Sequence, residues 1–377
     1  MIQTLQVNKF YYPYIGGVEK VVQQLSEEFL KDSTVDNGVL ACHTSKKDYF
    51  GQVRGVKVAL AGSWKTILGM PVSTSFPKMF ENLANKHDLV DFHMPFPLSA
   101  WCLPKLKAPR TRIVVHYHSD IVRQKKLKWA YEPAFKKLLD RADSIVVSSP
   151  NLRQNSELLQ EYSEKCSVIP FMVSLPRVGT VPPERAAAIK KSLNIPADMP
   201  VVLYVGRFVY YKGLEHLVTA MADVKEAALL LVGQGPMRDQ LSELGNTLRM
   251  GHRIYWKSGV TDEELADYYA LADLFVLPSC ANTEAYGIVQ MEALASGLPV
   301  INTNLPTGVP WVSKNGESGF TVKPEDPNEL REAILTILRD PGLKERFKAG
   351  ALLRAKDFDP LRVRNATLKL YRSLIAS

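Results

Sequence analysis

Apolar and polar positions change period repeatedly along this chain. Residues 2–9 (IQTLQVNK) alternate closely enough for a first strand, and Val18, Val21, Val22, Leu25, Phe29 and Leu30 then recur at helical spacing. Further strands are expected at 38–43, 56–61, 89–93, 112–116, 144–147 and 166–169, separated by helical or loop segments that include 76–86, 127–140 and 151–160. Residues 172–200 interrupt this rhythm with five prolines, as a linker followed by a short helix would. At Val201 the alternation resumes. Strands are expected at 201–206, 227–233, 253–259 (RIYWKSG), 273–278, 299–303 and 319–322. Helices are expected from 213, from 236, and at 262–271, 327–338, 342–355 and 360–376. Strands alternating with helices predict parallel, doubly wound sheets, here in two α/β halves of similar size.

Composition narrows the class. A chain of 377 residues exceeds the size at which one core stops growing, which agrees with two domains. Hydrophobic content of 46% and charged content of 23% are those of an ordinary globular protein. Cys42, Cys102, Cys166 and Cys280 show no ligand-like spacing and read as reduced core residues. No secretory signal is expected at MIQTLQVNKFYYP, and no uncharged apolar run reaches the ~18 residues of a bilayer span. The net charge of +8 permits nucleic acid, anionic lipid or phosphorylated small molecules as partners.

Candidate chemistry gathers at strand ends. The stretch Pro278–Pro299, PSCANTEAYGIVQMEALASGLP, follows an apolar strand and holds two carboxylates, Glu284 and Glu292. Strand, loop with a glutamate, then helix is how an open α/β sheet presents a ligand at a helix N-terminus. The carboxylates would lie about 12 Å apart along a helix axis, and could share one extended ligand if Glu284 belongs to the loop. Upstream, VVLYVGRFVYYKG ends a strand at Gly206 and delivers Arg207 and Lys212, cations suited to a diphosphate. The same residues would serve as ordinary surface cations around a turn. Gly233, in Val232-Gly233-Gln234-Gly235-Pro236, marks another loop at a strand end, and Gly16-Gly17 lets backbone N–H groups approach a phosphate or hydroxyl. Either glycine pair also fits a plain turn. In the first half, His93, His116 and His118 all lie at strand ends, and His118 is expected to face the ligand from the open end. No Asp-x-Asp at a strand end and no His/Cys cluster stands out along the chain, so protein cations are expected to stabilise leaving-group charge without a metal or other cofactor.

Gly16-Gly17-Val18-Glu19, the strand-end His118, the Gly206-Arg207…Lys212 element, and Glu284 with seven residues to Glu292 together resemble glycosyltransferase family 4 over essentially the whole chain. The opening segment and TGVPWVSKNGESGF at 307–320 look most like bacterial mannosyltransferases of O-antigen and exopolysaccharide assembly. The resemblance implies a GT-B fold, two Rossmann-like doubly wound parallel-sheet domains facing a central cleft. Its acceptor-binding domain would be 1–172, joined by a last helix 360–377 that crosses back, and its nucleotide-sugar-binding domain 173–359. It implies a retaining hexosyltransferase, with GDP-mannose as the donor and a saccharide on polyprenyl diphosphate as the acceptor. Glu284 would hold the sugar hydroxyls and Glu292 the ribose, while Arg207 and Lys212 clamp the diphosphate. Gly17 and the backbone of Ala285, Tyr286, Gly287 and Ile288 would approach phosphate or sugar, and His118 would contact the sugar near its reacting carbon. Two departures stand out: Tyr286 replaces the usual Phe, and Pro170-Phe171-Met172-Val173-Ser174 replaces an Asn-Gly-Val-Asp-like turn.

Residues 105–141 hold eleven Lys/Arg against three Asp/Glu, and Arg123, Lys125, Lys126, Lys128 and Trp129 read as an interfacial segment able to rest on anionic lipid. A solvated helix packing its apolar side on its own sheet explains them too. Such docking would put the protein in the cytoplasm, peripheral on the inner membrane. No nucleic-acid motif is present. Alternatives are a UDP-glucose or UDP-N-acetylglucosamine donor, a sugar-nucleotide epimerase, or a nucleotide-sugar-binding subunit without turnover. A nicotinamide oxidoreductase is disfavoured because no G-x-G-x-x-G follows the first strand.

Overall fold

The computed structural model describes the chain except residues 15, 68, 121–127 and 174–180 and the side chains of 128–130. It divides into two compact units, Met1–Met172 with Pro360–Ser377, and Val173–Asp359.

Unit 1 is built on an eight-stranded sheet. Its strands are β1 (Ile2–Phe10), β2 (Val35–Cys42), β3 (Tyr49–Val53), β4 (Val56–Ala61), β7 (Leu89–Met94), β8 (Arg112–Tyr117), β9 (Ser144–Val147) and β10 (Cys166–Val168), while β5 (Lys65–Ile67) and β6 (Met70–Val72) form a separate hairpin. The order is β10-β9-β8-β7-β1-β2-β4-β3, parallel except for the β3–β4 pair. Strands such as Arg112–Tyr117 are buried from the second residue on because parallel strands are covered on both faces. β3 and the hairpin escape the sequence reading for the converse reason. Tyr49–Val53 is an exposed edge strand with no buried side to impose a period. The helix Gly17–Phe29 buries Val21, Val22, Leu25 and Phe29. The last helix, Pro360–Ala376, inserts Val363, Leu368 and Tyr371 into a cluster with Leu25, Phe29, Val35, Leu89 and Val114. The segment 151–160, expected as helical or loop, forms two short helices, Pro150–Asn155 and Glu157–Gln160. Ser156 between them is extended, its hydroxyl accepting from Leu159 N and donating to Asp120, a local alternative to the helical ladder.

Unit 2 carries six strands: β11 (Val201–Val205), β12 (Ala228–Val232), β13 (Ile254–Lys257), β14 (Leu274–Leu277), β15 (Val300–Thr303) and β16 (Gly319–Val322). They run parallel in the order β13-β12-β11-β14-β15-β16. All residues of β11 and β12 are buried.

Each sheet has a point where its strand order reverses, between β1 and β7 in unit 1 and between β11 and β14 in unit 2. Beyond the carboxyl ends of such strands the flanking loops diverge and leave a crevice, the usual ligand position in open α/β sheets. Among the described residues no helix is long and apolar enough to cross a membrane.

Candidate functional site

In unit 2 the loops after β11 and β14 meet at the reversal point. Cys280 N donates to Tyr211 O at 2.9 Å, joining them. Gly213, at φ 61°, lies so close that a side chain there would place its Cβ 2.2 Å from Pro278 O. The first loop also packs on the loop after β12. Phe208 N donates to Gln234 O at 2.9 Å, and a Cβ at Gly233 would fall 1.9 Å from Gly206 O. These close backbone approaches explain why glycine stands at positions 213 and 233.

The junction brings Lys212 and Glu284 together. Lys212 Nζ lies 2.5 Å from Glu284 Oε2, and Ser279 Oγ donates to the same oxygen at 3.0 Å. Both charged side chains are about nine-tenths buried. Beneath them, Tyr204 is pushed well above its ordinary pKa, first by burial and then by the Glu284 charge. Arg207 is exposed, its Nη2 donating to Tyr211 OH at 2.9 Å. Glu284 belongs to the loop, and the helix Ile288–Ala295 starts after it, with Gly287 left-handed at its N-cap. Ala285 O accepts from Gly308 N at 2.8 Å, tying in the loop after β15. Glu292, within that helix, is 3% exposed and accepts from Tyr269 OH at 2.9 Å. Burial, and after it the Glu292 charge, raise Tyr269 well above its ordinary pKa.

The Gly233–Gly235 loop singled out in the sequence borders a hollow of about 380 Å³, whose lining residues Arg238, Trp256 and Lys257 sequence reasoning missed, as it missed Ser279. The Arg238 guanidinium lies 3.4 Å from the centre of the Trp256 ring. A Trp-Lys pair closing the RIYWKSG strand was the available signal.

In unit 1, Gly16 and Gly17 begin the helix that follows β1, at that sheet's reversal point, and space around Gly17 is open. Register sets His93 beside His116, and His118 follows as the strand ends. The three imidazoles stack, His93 to His116 at 4.9 Å and His93 to His118 at 5.2 Å between ring centres. His118 was expected at an open position, yet it is 3% exposed, with the Phe171 ring at 5.3 Å. Its Nδ1 is buried and has no hydrogen-bond partner among the described residues. Burial, then His116, hold its pKa well below the usual histidine value.

The expectation of no His/Cys cluster needs correcting. Asp91, His93 and His116 place donor atoms within 4.8 Å of one another, as do His216, Cys280 and Glu325 in unit 2. Asp91 and His93 share β7 while His116 comes from β8, and a helix and two loops supply the second group, so no linear spacing announces either group as a whole. In the first group His116 Nδ1 and Asp91 Oδ2 are hydrogen-bonded at 2.6 Å. Arg123, Lys125 and Lys126 lie outside the described residues, as do the side chains of Lys128 and Trp129.

Two family models match, one on each side of the linker. One described as Glycosyltransferase Family 4 matches residues 15–177, and one described as Glycosyl transferases group 1 matches residues 186–354. Among curated proteins, the chain is 29% identical to O-antigen chain mannosyltransferase C of Escherichia coli over the full length of both. It is 29% identical to D-rhamnosyltransferase WbpZ of Pseudomonas aeruginosa over 93% of this chain and 91% of that protein. Among solved structures it resembles sucrose-phosphate synthase from Thermosynechococcus elongatus, with TM-score 0.80 and 25% identity over all of both chains. Anabaena Alr3699/HepE, solved with UDP, shares the fold at TM-score 0.81 and 18% identity over 99% of this chain and 100% of that one. With doubly wound sheets in both units and the two models together running from residue 15 to residue 354, the chain is a glycosyltransferase with a Family 4 domain followed by a group 1 domain, in the GT-B fold.

Proposed function

We propose that the protein is a retaining, metal-independent mannosyltransferase that moves α-mannose from GDP-mannose to a lipid-linked saccharide in O-antigen or exopolysaccharide assembly. The observation carrying the reading is the Lys212–Glu284 pair, with Arg207 in the same loop, at the β11/β14 reversal point. That crevice offers cations for a diphosphate beside a carboxylate for sugar hydroxyls. The hollow beside Gly233 has room for the nucleoside. The named relatives support the sugar, since D-rhamnose is mannose without its 6-hydroxyl.

In the proposed reaction the bond from the anomeric carbon to the diphosphate oxygen breaks, and negative charge grows on the diphosphate. Arg207, Lys212 and the N–H groups starting the helix Ile288–Ala295 stabilise that charge without reorganising. The acceptor oxygen attacks the same face of a short-lived ion pair, and its proton passes to the departing phosphate oxygen. Glu284 orients the sugar, Glu292 anchors the ribose, and the basic stretch around Lys125 holds the protein at the inner membrane's cytoplasmic surface.

Thermal melting with GDP, UDP, GDP-mannose and UDP-glucose tests the donor, because a ligand preferring the folded state raises the melting temperature. GDP-mannose should give the largest shift, and transfer from it should survive chelator. A larger shift with UDP-glucose would replace the donor, and chelator loss rescued by added metal would replace the metal-free chemistry. Sedimentation with anionic vesicles should fall when Lys125, Lys126 and Lys128 are neutralised; an unchanged yield would remove the docking role.

A further inference from the structure

Unit 1 contains a connected set of six buried polar side chains, and together they settle which nitrogen of His118 carries a proton. Asp91 on β7 is fully buried, and as a carboxylate it can only accept. The Tyr371 hydroxyl, from the last helix, therefore donates to Asp91 Oδ2, and His116 Nδ1 donates to the same oxygen at 2.6 Å. With its proton engaged, the Tyr371 oxygen is left to accept, so Gln6 on β1 turns its amide nitrogen toward it at 3.4 Å. Gln6 Oε1 then faces His93 Nε2 at 2.7 Å, which must be the N–H.

A neutral imidazole has one N–H. Burial, then His116 and His118, hold His93 neutral by depressing its pKa. Its Nδ1 is consequently an acceptor and receives the Nε2–H of His118 at 2.9 Å. His118 Nδ1 is left as a bare lone pair, the unpartnered buried nitrogen noted above. A glutamine and an aspartate in the covered middle of a parallel sheet cost desolvation that apolar residues would avoid. Maintaining a polar relay accounts for their presence.

We propose that Asp91, Tyr371, Gln6 and His93 are positioning residues that hold His118 in its Nε2–H tautomer, so that Nδ1 accepts a hydrogen bond from a hydroxyl of the sugar substrate. The second half rests on the reading of His118 as a sugar contact; the tautomer stands on the network alone. A protonated Nδ1 would instead offer a donor, and the hydroxyl would have to turn its lone pair inward.

Selective 15N labelling of the seven histidines tests this, because long-range 1H–15N spectra report protonation at each ring nitrogen. A His118→Gln spectrum identifies the His118 signals. In the native protein His118 should show a protonated Nε2 and an unprotonated Nδ1. Tyr371→Phe keeps the ring but removes the acceptor for Gln6 Nε2, freeing the amide to reverse, and His118 should then show both tautomers. Gln6→Met cuts the relay directly and serves if Tyr371→Phe fails to fold. Transfer should fall about tenfold in either variant, the scale of one substrate hydrogen bond. A protonated Nδ1 in the native protein, or one unchanged tautomer in both variants, overturns the relay. A shifted tautomer with unaltered transfer at every donor concentration overturns the hydroxyl contact and leaves the relay standing.

Discussion

Residue by residue, the site consists of polar groups that depend on one another. Lys212 and Glu284 are each nine-tenths buried and paired at 2.5 Å, so removing either leaves a buried charge uncompensated, at a cost of about 3–5 kcal/mol. A diphosphate reaching Lys212 has to compete with Glu284 for it. Glu284→Ala should therefore lower the melting temperature without ligand, and GDP or UDP should raise it more in the variant than in the native protein. Equal shifts would place the diphosphate elsewhere. The histidines predict a pH dependence with a definite sign. His93 and His118 have folded pKa values depressed below their ordinary 6.5 by burial, beside His116. Below about pH 6.5 the unfolded chain binds protons that the folded one refuses, so stability is complete above that value and falls on acidification. Each histidine contributes a slope of up to about 1.4 kcal/mol per pH unit. Urea melts between about pH 5 and 7.5 should show this loss, and His93→Gln should reduce the slope by one proton. A flat profile would contradict neutral burial. The ionic residues were legible in the sequence as strand-end residue types. Gln6, Asp91 and Tyr371 were not, since nothing in their local sequence separates a buried relay residue from any polar residue of a strand or helix.

At the scale of elements, the loops bearing Arg207, Lys212 and Glu284 follow strands at a reversal of sheet order, and glycines set how closely the loops approach. Gly213→Ala would combine a left-handed backbone with a Cβ 2.2 Å from Pro278 O. The variant should lose about 1–3 kcal/mol and misplace Lys212 relative to Glu284. Denaturant melts measure the first effect, and a fall in transfer larger than the stability loss explains measures the second. Native stability and turnover would remove this glycine from the argument. The alternation of buried strands and amphipathic helices was readable because most parallel-strand positions are apolar and the helices carry a clear stripe. Val56–Ala61, Ser144–Val147 and Gly319–Val322 sit where the pattern puts them. The pattern was silent on Tyr49–Val53, which has no buried face, and on Ser156, whose hydroxyl bonds divide the 151–160 segment into two helices. It was silent too on strand order, which is set by long-range pairing and places His93 beside His116.

For the molecule as a whole, the chain leaves unit 1 at Met172, builds unit 2, and gives its final helix to unit 1. That helix completes a core, since Val363, Leu368 and Tyr371 share a buried cluster with Leu25, Phe29 and Val114. It also completes the relay, since the Tyr371 hydroxyl reaches Asp91. The buried cluster that holds the last helix draws all its residues from unit 1, and the proposed donor residues Arg207, Lys212, Glu284 and Glu292 all belong to unit 2. A lesion in the last helix and a nucleotide should therefore act on different thermal transitions. Leu368 is fully buried, so Leu368→Ala should remove about 2–5 kcal/mol from unit 1. Calorimetry of the variant should show one transition moved down and the other in place, with GDP or UDP still raising the unmoved one. The native protein should show the nucleotide acting on that same transition. If Leu368→Ala abolished the nucleotide shift, or lowered both transitions together, the diphosphate site could not be assigned to unit 2 alone.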